Sequence, residues 1–159
     1  NGVGLVATNQ HVVGSDRFAT TNWSDGWKSK GPIIWHDRRA DLAIIQCSVP
    51  INSVILPIAS KDEMPRSGDI VQLAGYGINR TTRNPALTIW NAKVNGYLQK
   101  PRDDDQIDVA TNAISGDSGG AIIYQNKLAA VMWGGPTAGV RGPMTSVRGC
   151  VGNFITNSL

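Results

Sequence analysis

Short apolar runs that alternate with polar positions make up most of the chain, and clusters of turn residues separate them. The alternation of apolar and polar residues is clearest over residues 70–75, and residues 87–97 form a long candidate strand. A period of two is typical of half-buried strands, and helical spacing is nearly absent. Further strands are predicted at residues 3–7, 18–21, 33–35, 42–47, 107–110, 121–124, 128–133 and 144–147.

The order of these elements indicates an all-β barrel or sandwich. The dipeptide Gln125-Asn126 lies between two apolar runs, as expected for a hairpin turn. A short helix is predicted only near the carboxyl end, where four residues share one face at helical spacing: Cys150, Val151, Phe154 and Ile155. We also predict a boundary near residues 79–85, which would divide the single domain into two halves, residues 1–79 and residues 80–159.

The composition is that of an ordinary globular protein, and it excludes several classes of function. Of the 159 residues, 41% are hydrophobic and 17% are charged, and the net charge is only +3. Lys100 and Arg102 are followed at once by aspartates at positions 103–105, so the sequence has no basic stripe that could track phosphates. No apolar run approaches membrane-spanning length. We therefore expect neither a nucleic-acid partner nor a membrane segment in this chain.

The few cysteines and histidines argue against a metal centre. The chain has two cysteines, Cys47 and Cys150, and two histidines, His11 and His36, and none of them is clustered at metal-ligand spacing. We expect no metal, no cofactor, and free buried thiols rather than a disulfide framework. The cellular compartment stays open, because two cysteines do not decide between an oxidising and a reducing one.

The run Ser115-Gly116-Asp117-Ser118-Gly119-Gly120 points most directly to chemistry. Acyl transfer needs a hydroxyl on a tight, exposed turn and two backbone N–H groups that converge on the substrate's carbonyl oxygen. Ser118 supplies the hydroxyl, and the N–H groups of Gly116 and Ser118 are the candidates for this oxyanion hole. The flanking glycines permit unusual backbone angles and a close approach of substrate. The alternative is a glycine-rich hairpin or bulge without chemistry.

A nucleophilic serine needs a general base nearby. His11 is the preferred base because it follows a predicted core strand directly and precedes a glycine-containing turn. His36 lies in another strand-like run beside polar residues, and we interpret it as structural.

The base in turn needs an acid that orients it. Asp41 opens the buried strand at residues 42–47, where an unpaired acid would be costly, and a histidine N–H would satisfy it. Asp37 is the competing acid. The alternative without catalysis is that Asp41 pairs with Arg38 or Arg39.

These three segments, in the order histidine, aspartate, serine, resemble the chymotrypsin/trypsin-like serine protease superfamily. Residues 67–77, 131–135 and 142–147 agree with further strands and turns of that family. The segments around His11 and Asp41 are more similar to HtrA-type and viral members than to digestive enzymes. The resemblance implies two antiparallel six-stranded β-barrels with a short carboxyl-terminal helix. His11 and Asp41 would come from the first barrel and Ser118 from the second.

The function that the resemblance implies is hydrolysis of peptide bonds by a serine endopeptidase. A catalytic triad of Ser118, His11 and Asp41 would act through an acyl-enzyme intermediate. The implied partner is a peptide or protein substrate, and the domain could belong to a larger polypeptide or polyprotein. The alternative is a catalytically silent protein-binding module on the same fold.

The resemblance also implies a set of substrate-binding residues: Asn112, Met132, Trp133, Gly134 and Gly142. Asn112 would lie at the base of the specificity pocket, with Gly134 and Gly142 on its walls. A neutral base offers no partner to a buried substrate charge, which would be costly to bury alone. We therefore expect a preference for large uncharged residues over Lys and Arg.

Some features depart from the family pattern. The stretch before His11 is short for the opening strands of the first barrel, so we expect an incomplete first barrel or a truncated chain. Members that are activated by cleavage bury a new amino terminus against the acid before the nucleophile, which here is Asp117. Arg141 and Arg148 are the candidate substitutes for that amino terminus. Asp108, near the pocket strand, is a charge that could enter the pocket.

Overall fold

Antiparallel strands form most of the chain in the computed structural model, which describes residues 2–77, 84–97, 106–111, 116–134 and 146–151. The predicted all-β class is confirmed. One short helix, α1 (Gln10–Val13), and a single 3₁₀ turn (Lys61–Glu63) interrupt the strands in this part of the chain. The strands are β1 (Gly2–Thr8), β2 (Phe18–Asn22), β3 (Lys28–Asp37), β4 (Leu42–Val49), β5 (Ile70–Gly75), β6 (Thr88–Tyr97), β7 (Gln106–Ala110), β8 (Ala121–Tyr124), β9 (Lys127–Gly134) and β10 (Ser146–Val151).

The first of two compact units comprises Asn1–Ile55 and contains one antiparallel sheet in the order β1-β4-β3-β2. In β4 the apolar residues are buried almost without interruption, from Leu42 to Cys47. The β1–β4 register ends at the pair Thr8↔Ala43, so the end of β1 lies beside the start of β4. This register brings the residues that follow β1 close to the residue that precedes β4.

The second unit, Leu56–Leu159, contains a barrel in which β5 to β10 close in the order β10-β7-β6-β5-β8-β9. The hairpin between β8 and β9 turns at Gln125 and Asn126, whose φ angles are 48° and 61°. Two successive positive φ angles are typical of the type I′ hairpin turn, so this predicted turn is confirmed. The barrel core is formed by Val71, Leu73, Ala92, Val94, Ile107, Val109, Ile122, Ala130 and Met132.

The structure bears on three predictions about the fold and corrects one of them. A six-stranded first barrel is not confirmed, because the sheet of the first unit has four strands in its described residues and ends at β1 and β2. Cys150 and Val151 belong to β10, because the barrel closes by pairing this strand with both β7 and β9. The other two residues of the predicted helix, 154 and 155, lie outside the described residues. The compact units divide after Ile55, and the predicted halves, residues 1–79 and residues 80–159, stay a prediction.

A loop at residues 59–69, here called the tied loop, is fastened to the barrel by side chains. Glu63 forms an ion pair with Lys127 of β9, and both Ser60 N–H and Ser60 O–H donate to its Oε2 at 3.0 and 2.9 Å. The bond to Lys127, followed by those from Ser60, lowers the pKa of Glu63 from 4.5 to about 2. The 3₁₀ turn is thereby held to the β8–β9 hairpin.

Two tyrosines hold the carboxyl-terminal half of the tied loop. Tyr97 O–H donates to the carbonyl of Pro65 at 2.7 Å, and Tyr124 O–H donates to Asp69 Oδ2 at 2.9 Å. Burial, and then the charge of Asp69, raise the pKa of Tyr97 from 10.0 to about 12. Hydrogen bonds from the N–H of Arg66 and from the Tyr124 hydroxyl lower the pKa of Asp69. The bond between Tyr124 and Asp69 also raises the pKa of Tyr124.

Candidate active site

His11 and Asp41 form a doubly hydrogen-bonded pair in the first unit. The backbone N–H of His11 donates to Asp41 Oδ1 at 2.9 Å, and His11 Nδ1 lies 2.6 Å from Asp41 Oδ2. The imidazole is 49% exposed and the aspartate side chain is 18% exposed. Since Nδ1 is engaged by the carboxylate, Nε2 is the ring nitrogen left to exchange a proton with a further group.

The backbone at Asp41 is in the left-handed region, with a φ of 51°. The side chain of Asn9 supports it there, because its Nδ2 donates to the Asp41 carbonyl at 2.9 Å. Asn9 is fully buried. Asn9 is not among the residues predicted from the sequence, because its partner Asp41 lies 32 residues away. No signal in the sequence distinguishes it, since its neighbours Thr8 and Gln10 are also polar.

The competing histidine and aspartate have other contacts. Asp37 Oδ1 accepts hydrogen bonds from the backbone N–H groups of Arg39 and Ala40, at 2.6 and 3.2 Å, and so fixes the turn between β3 and β4. His36 lies in β3, opposite Ala43 of β4, and is exposed. Asp37 therefore organises the turn that carries Asp41 and does not orient a base.

Ser118 lies on a tight turn in the second unit, immediately before β8. The N–H of Gly120 donates to the Asp117 carbonyl at 2.9 Å, which closes a four-residue turn with Ser118 in its second position. Gly119, in the third position, has a φ of 87°, as a type II turn requires. Backbone bonds from Gly119 N–H to Met132 O (2.9 Å) and from Met132 N–H to Gly120 O (2.8 Å) fix the turn to β9.

Two glycines allow Asp117, the acid beside Ser118, to be buried. Asp117 is only 4% exposed, and a Cβ at Gly75 would lie 2.4 Å from its Oδ1. A Cβ at Gly120 would lie 2.5 Å from the carbonyl oxygen of Ala74. The turn can therefore pack against the end of β5 only because both positions lack a side chain.

The predicted substrate-binding residues have different positions. The side chain of Met132 is buried in the barrel core, and its Cε would lie 2.4 Å from a Cβ at Gly120, so both its side chain and its backbone reach the turn that carries Ser118. Trp133 is half-buried, and Gly134 ends β9 opposite Arg148. Asn112, Gly142 and Arg141 lie outside the described residues. The pocket itself is therefore still a prediction.

Asp108 lies in β7, and its Oδ2 accepts a hydrogen bond from Asn95 Nδ2 at 2.9 Å. Cys47 is a free, buried thiol. The described residues contain no group of three or more His, Cys, Asp or Glu side chains that could hold a metal ion. In the same part of the chain, no helix has both the length and the apolar character needed to cross a membrane.

Comparison with known proteins assigns the family. The model of the trypsin-like peptidase domain matches residues 1–131. The chain belongs to the trypsin-like peptidase family. This trypsin-like peptidase is 32% identical over 128 residues to the periplasmic serine endoprotease DegP of Salmonella typhimurium. It is 29% identical over 126 residues to a probable periplasmic serine protease of Haemophilus influenzae, described as do/HhoA-like. Each match covers 77% of this chain and 26% of the relative, so the chain spans about a quarter of their length.

Solved structures support the same fold. The active form of the Rv3671c protease from M. tuberculosis matches this trypsin-like peptidase with a TM-score of 0.76 and 18% identity, over 96% of this chain and 66% of that one. The serine endoprotease from Yersinia pestis matches with a TM-score of 0.74 and 19% identity, over 97% and 52%. The prediction of a trypsin-like serine protease of the HtrA type is confirmed.

Proposed function

We propose that this chain is the catalytic domain of a serine endopeptidase and that Ser118, His11 and Asp41 form its triad. The observation that carries the proposal is the doubly bonded His11–Asp41 pair, because an oriented imidazole is what a general base requires. Membership of the trypsin-like peptidase family supports Ser118 as the third member.

In the proposed mechanism, Ser118 Oγ attacks the carbonyl carbon of a peptide bond while His11 Nε2 accepts the hydroxyl proton. Asp41 holds the Nδ1–H of His11, which fixes the tautomer and stabilises the imidazolium that forms. The tetrahedral intermediate collapses as the C–N bond breaks, and His11 gives its proton to the leaving amine. Water then attacks the ester by the same route, which releases the acid product and regenerates Ser118.

The N–H groups of Gly116 and Ser118 are the proposed oxyanion hole. Gly116 has a φ of 99°, a conformation that only glycine adopts readily, and it leads into the turn that carries Ser118. Backbone donors on a fixed turn stabilise the developing oxyanion without reorganising during the reaction. The two bonds from the turn to Met132 support such rigidity.

We also propose the double-barrel arrangement of the family. In it the four-stranded sheet of the first unit is the incomplete first barrel. The fold similarity to HtrA-type proteases such as AlgW, with a TM-score of 0.72, supports this arrangement.

The substrate is proposed to be a peptide or protein with a large uncharged residue before the cut. The support is the resemblance to the family, which implies that the neutral Asn112 lies at the base of the pocket and glycines 134 and 142 on its walls. Cleavage of a peptide library should favour Phe, Tyr, Leu, Met or Gln, and Asn112→Asp should shift the preference toward Lys and Arg. Dominant cleavage after basic residues by the unchanged protein would show that this pocket assignment is wrong.

Labelling by a fluorophosphonate probe tests the proposed function directly. The unchanged protein should be labelled, and Ser118→Ala should abolish labelling with the fold intact, because a turn hydroxyl contributes little to packing. His11→Ala should reduce labelling severely, since triad members act as a unit. His36→Ala is the matched control and should label normally. A folded protein that reacts with no fluorophosphonate would instead support the silent binding module.

A further inference from the structure

The side chain of Asn9 is hydrogen-bonded to a partner that is unusual for a residue directly before a helix. Asn9 precedes α1 with extended angles (φ −83°, ψ 148°), and its carbonyl accepts the N–H of Val12 at 3.2 Å. An asparagine in this position normally caps the helix with its side-chain oxygen. Here the side chain makes no capping bond and donates instead to the carbonyl of Asp41, 32 residues away. Asn9 therefore occupies the N-cap position of α1, but its side chain does not cap the helix.

Burial shows that the contact with Asp41 is specific. Asn9 is fully buried, and within the described residues its Oδ1 makes no hydrogen bond. A buried amide is costly unless its polar atoms are bonded, and an apolar side chain would fill the same space without that cost. The bond from Nδ2 to the Asp41 carbonyl is therefore the contact that accounts for an amide at this position.

Asp41 has a left-handed backbone that such a bond can hold in place. With a φ of 51°, it lies in a region that is costly for most residues with a side chain, although aspartate enters it more readily than most of them. The last Cα pair of the β1–β4 ladder is Thr8↔Ala43, so the ladder stops before it reaches Asp41. The Asn9 amide adds one further hydrogen bond between the segments that carry β1 and β4, beyond the end of the ladder, where α1 begins.

Residues 9 and 11 thus hold Asp41 from two sides. Asn9 holds its carbonyl, whereas the N–H and ring of His11 hold its two carboxylate oxygens. We propose that Asn9 is a positioning residue: its amide keeps Asp41 in the left-handed conformation that directs both carboxylate oxygens at His11. The consequence for catalysis rests on the proposed function, whereas the geometry of the pair does not.

Proton NMR tests the geometry without requiring activity. A proton in a short bond between imidazole Nδ1 and a carboxylate is strongly deshielded and should give a low-field resonance, measured in the Ser118→Ala protein. With only two histidines in the chain, His36→Gln assigns the resonance to His11. Asn9→Asp keeps the size of the side chain and removes its donor, and Asn9→Ser shortens it. Both should shift or abolish the resonance in protein that circular dichroism shows to be folded.

Labelling rates test the consequence for catalysis. With Ser118 intact, Asn9→Asp and Asn9→Ser should slow fluorophosphonate labelling by at least about tenfold per folded molecule, because small displacements of catalytic groups are costly. Gln10→Ala is the matched control: it removes a 2.9 Å amide-to-carbonyl bond, to Gly14, from the same segment and should change the rate by less than about twofold.

Two results would overturn the proposal. One is a folded Asn9 variant with an unmoved His11 resonance and a normal labelling rate. The other is failure of both Asn9 variants to fold, which would assign Asn9 to the fold and not to the pair. If the parent protein is not labelled at all, the proposed function fails, but the resonance still decides the role of Asn9.

Discussion

Substitution of Gly75 by alanine should distort the turn that carries Ser118, although Gly75 lies 43 positions before Ser118 in the sequence. The new Cβ would lie 2.4 Å from Asp117 Oδ1 and 3.0 Å from its Cγ, whereas ordinary contacts begin near 3.4 Å. The carboxylate must therefore retreat by about 1 Å, but Asp117 is only 4% exposed. Because the Asp117 carbonyl also closes the Ser118 turn, the retreat should displace Ser118.

The size of the effect follows from these distances. Overpacking of this kind costs about 1–3 kcal/mol of folding free energy. In a protein of this size each kcal/mol lowers Tm by about 2–4 °C. A displacement of about 1 Å at the nucleophile should slow fluorophosphonate labelling by roughly 10- to 100-fold. Labelling is measured well below the lower Tm, so that unfolding does not contribute to the loss of rate.

Gly2→Ala is the matched control for Gly75→Ala. Gly2 also lies in a strand, and a Cβ there meets nothing within 4 Å. Its Tm and labelling rate should equal those of the unchanged protein. If Gly75→Ala has an unchanged Tm and is labelled within a factor of about two of the parent, the inferred link from β5 to Ser118 is wrong.

Three further predictions concern stability. The bond to Lys127 lowers the pKa of Glu63 from 4.5 to about 2, so its stabilising contribution is complete above pH 4.5 and is lost as the pH falls to about 2. Glu63→Gln should flatten this part of the acid-unfolding curve measured by circular dichroism. Burial raises the pKa of Tyr97 from 10.0 to about 12, so its contribution is complete below pH 10 and is lost as the pH rises to about 12. Tyr97→Phe should remove that alkaline step, and its persistence would contradict the assignment. A Cβ at Gly31 would lie 1.8 Å from the backbone oxygen of Gln46, so Gly31→Ala should lose at least about 3 kcal/mol in urea unfolding.

The sequence predicted those strands whose pattern is set locally. Residues 70–75 and 121–124 coincide with β5 and β8, because alternation or a short apolar run between turn residues is decided within the segment itself. The last strand was misassigned in part, since Cys150 and Val151 suit one face of a helix equally well. Their place in β10 depends on pairing with β7 and β9, which no local pattern encodes.

Residues of the site, too, were predicted where nearby sequence sets their contacts and missed where the contacts depend on residues far away in the chain. The cost of burying an acid at the start of a strand predicted a partner for Asp41 and left histidine and arginine open, and the structure pairs it with His11. Asn9 was missed because its contact with Asp41 arises only from the β1–β4 register. Gly75 lies at the end of the strand predicted at residues 70–75, but its fit to Asp117 depends on how β5 packs against a segment more than 40 residues later.

The side-chain contacts that hold the tied loop should also affect how readily copies of the protein cut one another in this loop. Exposed loops are the usual sites of proteolytic nicking, and a protease can cut a segment only after it has opened away from the body of the protein. In this loop the ion pair of Glu63 with Lys127 and the bond from Tyr97 to the Pro65 carbonyl lie two residues apart. A cut between them would require both to open together, so neighbouring copies of the enzyme should digest this loop slowly. That resistance should weaken in acid, where Glu63 takes up a proton.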